Sequence, residues 1–371
     1  MGKTYRGAVI GYGNLGIRHG EVLHGLAGTE LVAVCDSAPE ARDKAEGQYP
    51  GIALYDDAGT MLATERPDIV AVGTHASSHA APSLLAAEHG AHVVCEKPIA
   101  ASLEEADGMV AAFEAAGLQL VIDHQWRLGP GAEKVTELLE AGTIGQPVTI
   151  KVNFCKGRPA GWELNEMGTH VFDMVCKFAG NPTDCVARIL ADDRAATRSD
   201  IKRGNELTPG SYDSGWVVGT AIGATFRFDS GALMLAEGYT TETYAQERLH
   251  NERILIELRG TKGRIRLTGG AFDAVYVAPG AYPEDASHTI PWQQVELTPR
   301  PDRPTMPEFA GTIAPVYERL IRAIEHGEPH PCSGAGGRRA MEMISAVFAS
   351  HFSDRAVTLP LSDRSDPLAP R

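Results

Sequence analysis

The first third of the chain alternates two textures. Short runs in which nearly every position is apolar occur at residues 7–11, 30–36, 69–74, 91–96 and 119–123. Between them lie stretches with polar residues along one side, such as 80–89 and 103–116. A run with little alternation fits a strand buried on both faces, and the spacers fit amphipathic helices. This β-α-β-α rhythm predicts a parallel sheet covered by helices on both sides.

After Arg127 the pattern changes. Glycines at 129 and 131 mark a break, followed by a predicted helix at 132–141 and a strand at 148–154. From about residue 186 apolar and polar positions alternate in short strands joined by turns: 224–229, 233–238, 253–259 and 264–268. Asp229-Ser230-Gly231 and Gly260-Thr261-Lys262-Gly263 read as hairpin turns in which glycine supplies a positive φ. These strands predict a second, antiparallel sheet. The polar stretch 192–213 is expected to be a long loop. Helices are expected near 316–326 and 338–351, and the Pro- and charge-rich residues 362–371 to fray. No internal repeat is visible.

The chain has 371 residues, which calls for two domains. They are placed at 1–127 and 128–361, with 362–371 as a tail. A formal net charge of −14 offers no basic patch for nucleic acid or anionic membrane. No apolar stretch reaches the length of a membrane span, and no secretory leader precedes the first strand. None of the six cysteines has zinc spacing; Cys35 and Cys95 lie in apolar runs and read as small buried hydrophobes. A cytoplasmic protein with reduced thiols and no metal is expected.

Gly11, Gly13 and Gly16 form G-x-G-x-x-G between the first strand and the first helix. The first glycine permits the tight turn, the second lets backbone approach a pyrophosphate, and the third allows close packing. A helix N-terminus favours the phosphate charge, so Asn14 and Leu15 join the expected cofactor contacts. Asp36 ends the second strand, where a carboxylate accepts bonds from the adenosine ribose and repels a 2′-phosphate. Ser37 and Ala38 follow it and bring no cation, so NAD is expected over NADP. A plain βα turn with a capping Asp36 is the alternative.

Lys97 ends a strand and precedes Pro98. Proline disfavours the helical region for its predecessor, so Lys97 should be held extended at the strand tip. Ligands of such sheets bind at the carboxyl ends of strands. A lysine beside a cationic nicotinamide suits hydrogen bonding or proton exchange with a substrate hydroxyl.

Together with these motifs, His79 after Thr74, the Glu96-Lys97-Pro98 run and Arg127 resemble the Gfo/Idh/MocA family. The resemblance continues through Ala141-Gly142-Thr143-Ile144-Gly145 and Glu166-Met167-Gly168-Thr169-His170-Val171-Phe172-Asp173. It ends in Ala323-Ile324 through Gly327, the turn at 333–339 and the strand at 357–361. It implies an N-terminal Rossmann domain and a C-terminal α+β domain with a large, mostly antiparallel sheet. It also implies a homodimer or homotetramer through that sheet. Lys97 matches the family's catalytic lysine and His170 its catalytic histidine. Glu166 stands where the family has aspartate, and Asp173 matches a second helix aspartate. Thr74, His75, His79, Glu96 and Arg127 fall where cofactor contacts are expected.

The residues point the same way on their own. Glu166, His170 and Asp173 are spaced to share a helix face. A carboxylate one turn from an imidazole can fix its tautomer and raise its basicity. A helix N-terminus capped by Asn165 or Glu166, carrying a surface histidine, is the plainer alternative. No third metal ligand follows. Trp126, Asn153, Lys156, Arg158 and Trp162 are candidate substrate contacts, while His19 is expected to pack. The two domains are expected to enclose a water-excluding cleft.

The expected reaction is NAD-dependent oxidation of a secondary hydroxyl on a sugar or cyclitol. Two other readings stay open: a glycosidase-like enzyme that oxidises transiently and eliminates, and a non-catalytic dinucleotide sensor.

Overall fold

The computed structural model describes residues 3–155, 158–207, 215–239, 254–269, 272–280, 291–304 and 306–369. Two compact units emerge: Met1–Gln125 with Pro301–Arg338, and Trp126–Arg300 with Arg339–Arg371. The segment Pro301–Arg338 differs from expectation, because it joins the first unit. The reason is packing: its helix, Glu308–His326, buries Ile313, Val316, Tyr317 and Leu320 there.

In the first unit, strands β1 (Tyr5–Ile10), β2 (Thr29–Cys35), β3 (Ala53–Tyr55), β4 (Ile69–Val72), β5 (His92–Cys95) and β6 (Leu120–Ile122) pair in parallel. Their order is β3-β2-β1-β4-β5-β6. The connection reverses direction between β1 and β4, the point at which such sheets bind ligands. Every residue of β4 is buried, as its apolar run predicts. Helices α1 (Asn14–Gly25), α2 (Pro39–Gln48), α3 (Ala58–Glu65), α4 (Ala80–Glu88) and α5 (Leu103–Ala116) fill the crossovers. Their ends are written locally. The Ser102 hydroxyl accepts from the Glu105 N–H at 3.1 Å, and Gly117 closes α5 in the left-handed region. The outer edge of β6 is covered by Cys332 and Ser333.

The second unit is built on a ten-stranded sheet among the described residues. It comprises α6 (Pro130–Glu140), β7 (Pro147–Asn153), α7 (Ala160–Glu163), α8 (Thr169–Ala179), β8 (Pro182–Ala191) and β9 (Arg194–Ala195). A small ribbon, β10 (Lys202–Arg203) with β11 (Trp216–Val217), stands apart. Then follow β12 (Ala221–Phe228), β13 (Leu233–Tyr239), β14 (Leu255–Gly260), β15 (Gly263–Thr268), β16 (Ala274–Pro279), β17 (Gln293–Val295) and β18 (Val357–Thr358). The order is β17-β16-β15-β14-β7-β13-β12-β8-β18, with β9 on β8, and only β7–β13 is parallel. Alternation is strict in β12 and β13: one face is buried and the other is not. The buried face forms the core with α8 and the helix Gly334–Ser353.

Four local expectations are corrected. Residues 192–207 are not an open loop; Asp200 closes a capping box with Thr197 and pairs with Arg194. The tail does not fray through residue 369, because Leu368 is buried in the core and Arg364 pairs with Glu342. Gly231 has the predicted positive φ (+86°), but Gly260 does not. A Cβ at Gly260 would lie 2.2 Å from the Ile144 carbonyl oxygen, so close approach requires that glycine. The helix near 316–326 starts earlier, at Glu308, and runs through Pro315. Among the described residues no helix is long and apolar enough to cross a membrane.

Candidate active site

In the first unit the glycine motif behaves as its chemistry requires. Gly11 has φ +86°, and a Cβ there would meet the Thr74 backbone nitrogen at 2.7 Å. A Cβ at Gly16 would sit 1.8 Å from the Gly11 carbonyl oxygen. Around Gly13 there is open space, with nothing within 4 Å. Behind it, α1 begins without a side-chain cap or an acidic residue in its first turn. Exposed N–H groups and an uncompensated helix dipole therefore face that space, which fits a dinucleotide's pyrophosphate. Gly13 and Asn14 are exposed and Leu15 is half-buried.

Asp36 is fixed at the tip of β2. Its Oδ2 accepts from the Tyr12 N–H at 2.6 Å and its Oδ1 from the Ala38 N–H at 2.9 Å. The corner does hold a cation. Arg42 in α2 donates to the carbonyls of Asp36 (2.6 Å) and Ser37 (3.0 Å). Sequence reasoning missed it by looking only at the two residues after Asp36; a residue one turn beyond Ala38 returns to the same corner.

His79 is buried and ties together two loops of this edge. Its Nδ1 lies 2.8 Å from the Pro98 carbonyl and its Nε2 3.1 Å from the Thr74 carbonyl. Burial lowers its pKa, and a neutral ring can donate to only one of the two. His75 is exposed. The Thr74 hydroxyl donates to the Ser78 carbonyl at 3.0 Å. Lys97 is half-buried, and the Lys97–Pro98 peptide bond is cis. The Lys97 N–H donates to Glu96 Oε2 at 3.1 Å. Glu96 itself points inward and is buried; its Oε1 lies 3.2 Å from His19 Nε2. It is thus an internal support rather than an exposed contact.

In the second unit a continuous helical segment carries Glu166, His170 and Asp173, all buried. The helix begins at Ala160, so neither Asn165 nor Glu166 caps its start, and His170 is not a surface residue. Residues Leu164–Gly168 form a π-turn before α8. A π-turn inserts an extra residue into the helix, and such turns gather at functional sites. Glu166 lies inside it, so the simple α-helical face expected from spacing is altered at the residue that departs from the family pattern.

Trp126 stacks on His170, with ring centroids 4.3 Å apart and planes at 32°. Phe272 meets Trp126 edge-on at 5.3 Å. Asp173 is engaged by Arg127 through a 3.1 Å ion pair, and Arg127 also donates to the Asp173 carbonyl at 2.6 Å. The backbone carbonyl of Arg127 accepts from Lys177 at 3.0 Å. Trp126, Arg127, His170 and Asp173 are therefore one assembly.

Asn153 is turned to its own chain, where Oδ1 accepts from the Cys155 N–H at 3.0 Å. Trp162 is fully buried, with the Arg158 guanidinium 3.6 Å over its ring and Arg158 paired to buried Glu163. Lys156 lies outside the described residues. All six cysteines are free and buried.

Comparison with known proteins agrees with this architecture. Residues 5–124 match the NAD-binding Rossmann fold of an oxidoreductase family, and residues 136–359 match that family's C-terminal alpha/beta domain. Fold and cofactor site thus define an NAD-binding oxidoreductase. The chain belongs to the Gfo/Idh/MocA family. D-apiose dehydrogenase of Paraburkholderia graminis is 27% identical over 375 residues, covering 96% of this chain and 90% of that protein. Myo-inositol 2-dehydrogenase of Thermotoga maritima is 24% identical over 359 residues, covering 95% and 97%. A levoglucosan dehydrogenase solved with NADH and L-sorbose superposes with a TM-score of 0.77 at 20% identity, covering 97% and 100%.

Proposed function

We propose that this oxidoreductase is an NAD-dependent dehydrogenase of a secondary hydroxyl on a sugar or cyclitol. The observation that carries the reading is the buried His170, stacked on Trp126 in the unit that follows the dinucleotide fold. The full-length kinship to D-apiose and myo-inositol dehydrogenases supports the substrate class. Bound NAD supplies the hydride acceptor. His170 takes the hydroxyl proton, and Lys97 donates a hydrogen bond to the same oxygen as negative charge develops. Glu166 orients the histidine, while Asp173, held by Arg127, braces the helix. Gly11, Gly13 and Gly16 admit the pyrophosphate, and Asp36 accepts from the ribose, favouring NAD over NADP.

The outward face of the second unit's sheet supports self-association. Val186, Leu190, Leu233, Leu235 and Tyr239 are all exposed there. Register joins them across strands, Val186 through Thr225 to Leu235 and Leu190 through Ala221 to Tyr239. These two apolar rows, separated by Arg188, Gly223 and Glu237, offer an interaction surface, here for a second copy of the chain.

A panel of polyols, inositols and glucosides with NAD tests the reading. Net NADH formation with ketone product is expected for at least one of them. Glycosidic cleavage without net NADH, or no turnover across the panel, would overturn it. Comparable efficiency with NADP would remove the cofactor preference.

A further inference from the structure

Four buried ionisable side chains meet behind Lys97. His19 comes from α1, Glu96 from the tip of β5, Asp123 from the end of β6 and Tyr317 from the helix Glu308–His326. His19 Nδ1 lies 2.8 Å from the Tyr317 hydroxyl. Its Nε2 lies 3.2 Å from Glu96 Oε1 and 3.8 Å from Asp123 Oδ2. A hydroxyl can donate or accept, so Nδ1 is satisfied with or without its hydrogen. Nε2 faces carboxyl oxygens, and with Glu96 ionised it carries the hydrogen of their bond. Glu96 then bridges: one oxygen takes the imidazole hydrogen bond, and the other accepts from the Lys97 backbone N–H. Among the described residues Asp123 Oδ1 is buried with no hydrogen-bond partner.

Two carboxylates this close in a dry site cannot both ionise cheaply. Burial and the charge of Glu96 push Asp123 up to about 7, against the pull of His19, Lys97 and the Gln125 N–H. Burial opposes ionisation of Glu96 too, but the His19 hydrogen bond and charge, with Lys97, hold it below its ordinary value. Burial likewise opposes charge on His19, yet Glu96 and Asp123 outweigh it and raise its pKa. Tyr317 is pushed up by burial and by both carboxylates, so it stays a neutral hydroxyl. The groups facing Asp123 are therefore His19, Glu96, Lys97, Tyr317 and the thiol of Cys95, itself pushed up chiefly by burial. Coulombic coupling is mutual, so a change of charge at Asp123 is felt at the Lys97 ammonium.

We propose that His19, Glu96, Asp123 and Tyr317 form a positioning unit for Lys97, in which Asp123 holds an exchangeable proton whose departure adds one negative charge behind the lysine. Glu96 fixes the strand tip from which Lys97 leaves. Asp123 sets how much negative charge stands behind the ammonium that meets the substrate oxygen. The link to turnover rests on the dehydrogenase reading of Lys97; the proton on Asp123 does not.

Infrared difference spectra of the full chain between pH 5 and 9 test the proton directly. A buried protonated-carboxyl band is expected, lost with a midpoint near 7 and absent from Asp123→Asn. His19→Gln should move the midpoint upward, because the imidazolium that favours the Asp123 anion is gone, and this variant keeps the test open if Asp123→Asn does not fold. The same band in wild type and Asp123→Asn would overturn the proposal. So would an equimolar metal ion bound at His19, Glu96 and Asp123. The second arm is the pH profile of kcat/KM. Its acid limb should shift by about half a unit or more in Asp123→Asn, and an unchanged limb would sever the cluster from Lys97. If no substrate is turned over, the dehydrogenase reading falls while the infrared result still decides the proton.

Discussion

The two proposed chemical corners are held by different physics. Lys97 stands at a strand tip over buried ionisable groups, His19, Glu96 and Asp123, whose charges are only partly balanced. His170 stands on a helix, its ring packed against Trp126, which Phe272 backs edge-on, with its helix tied by the Arg127–Asp173 pair. The first support changes with pH; the second depends on shape. A cationic donor benefits from negative charge behind it. A base benefits from a fixed ring orientation.

The largest effects should come from the corners themselves. Lys97→Ala and His170→Ala should each lower kcat by about a hundredfold or more, while NADH fluorescence titration shows the cofactor still binding. Equal loss at both corners would make the comparison one of support rather than of importance. Trp126→Ala removes the ring that stacks on His170, and turnover should fall by about tenfold. Trp126→Phe should recover most of it, since a flat ring remains. Recovery by Trp126→Leu to the same extent would show that volume, not stacking, holds the histidine.

Thermal unfolding sharpens the charged side. Burial and Glu96 raise Asp123 to about 7 from an ordinary value of 3.8. Its favourable contribution is complete below the unfolded value and is lost as pH rises through the folded one. Asp123→Asn never ionises, so it should melt above wild type at pH 8, and the gap should narrow through pH 5 and close near the unfolded value of 3.8. Each kcal/mol corresponds to ~2–4 °C in a domain of this size. A gap independent of pH would contradict the assigned proton. No comparable pH term is expected for Trp126→Ala. The smallest effect on chemistry should come from Leu235→Asp on the outward sheet face. Light scattering should report a smaller assembly, with kcat changed little.

Much of this was legible because the information is local. The glycine spacing, Asp36 and the Glu96-Lys97-Pro98 run sit at predictable turns of a β-α-β pattern, which also announced the parallel sheet. The His170 helix was legible from its spacing. Its π-turn was not, since an extra residue in a turn leaves no periodic trace before the fold is known. His19 and Tyr317 are 298 positions apart, and only the return of residues 301–338 to the first unit brings them together. His19 was expected to pack, and it does, but within a set of buried charges. Arg42 had a local signal, since it lies one helical turn beyond Ala38 and so returns to the Asp36 corner.

The central claim is that hydride leaves a substrate carbinol and stays on the nicotinamide. On the polyol giving the most NADH, deuterium at the oxidised carbon can be followed into the cofactor by mass spectrometry. One deuterium in the accumulated NADH per ketone formed is the expected result. NADH without label, or cleaved product with no labelled NADH, would contradict it.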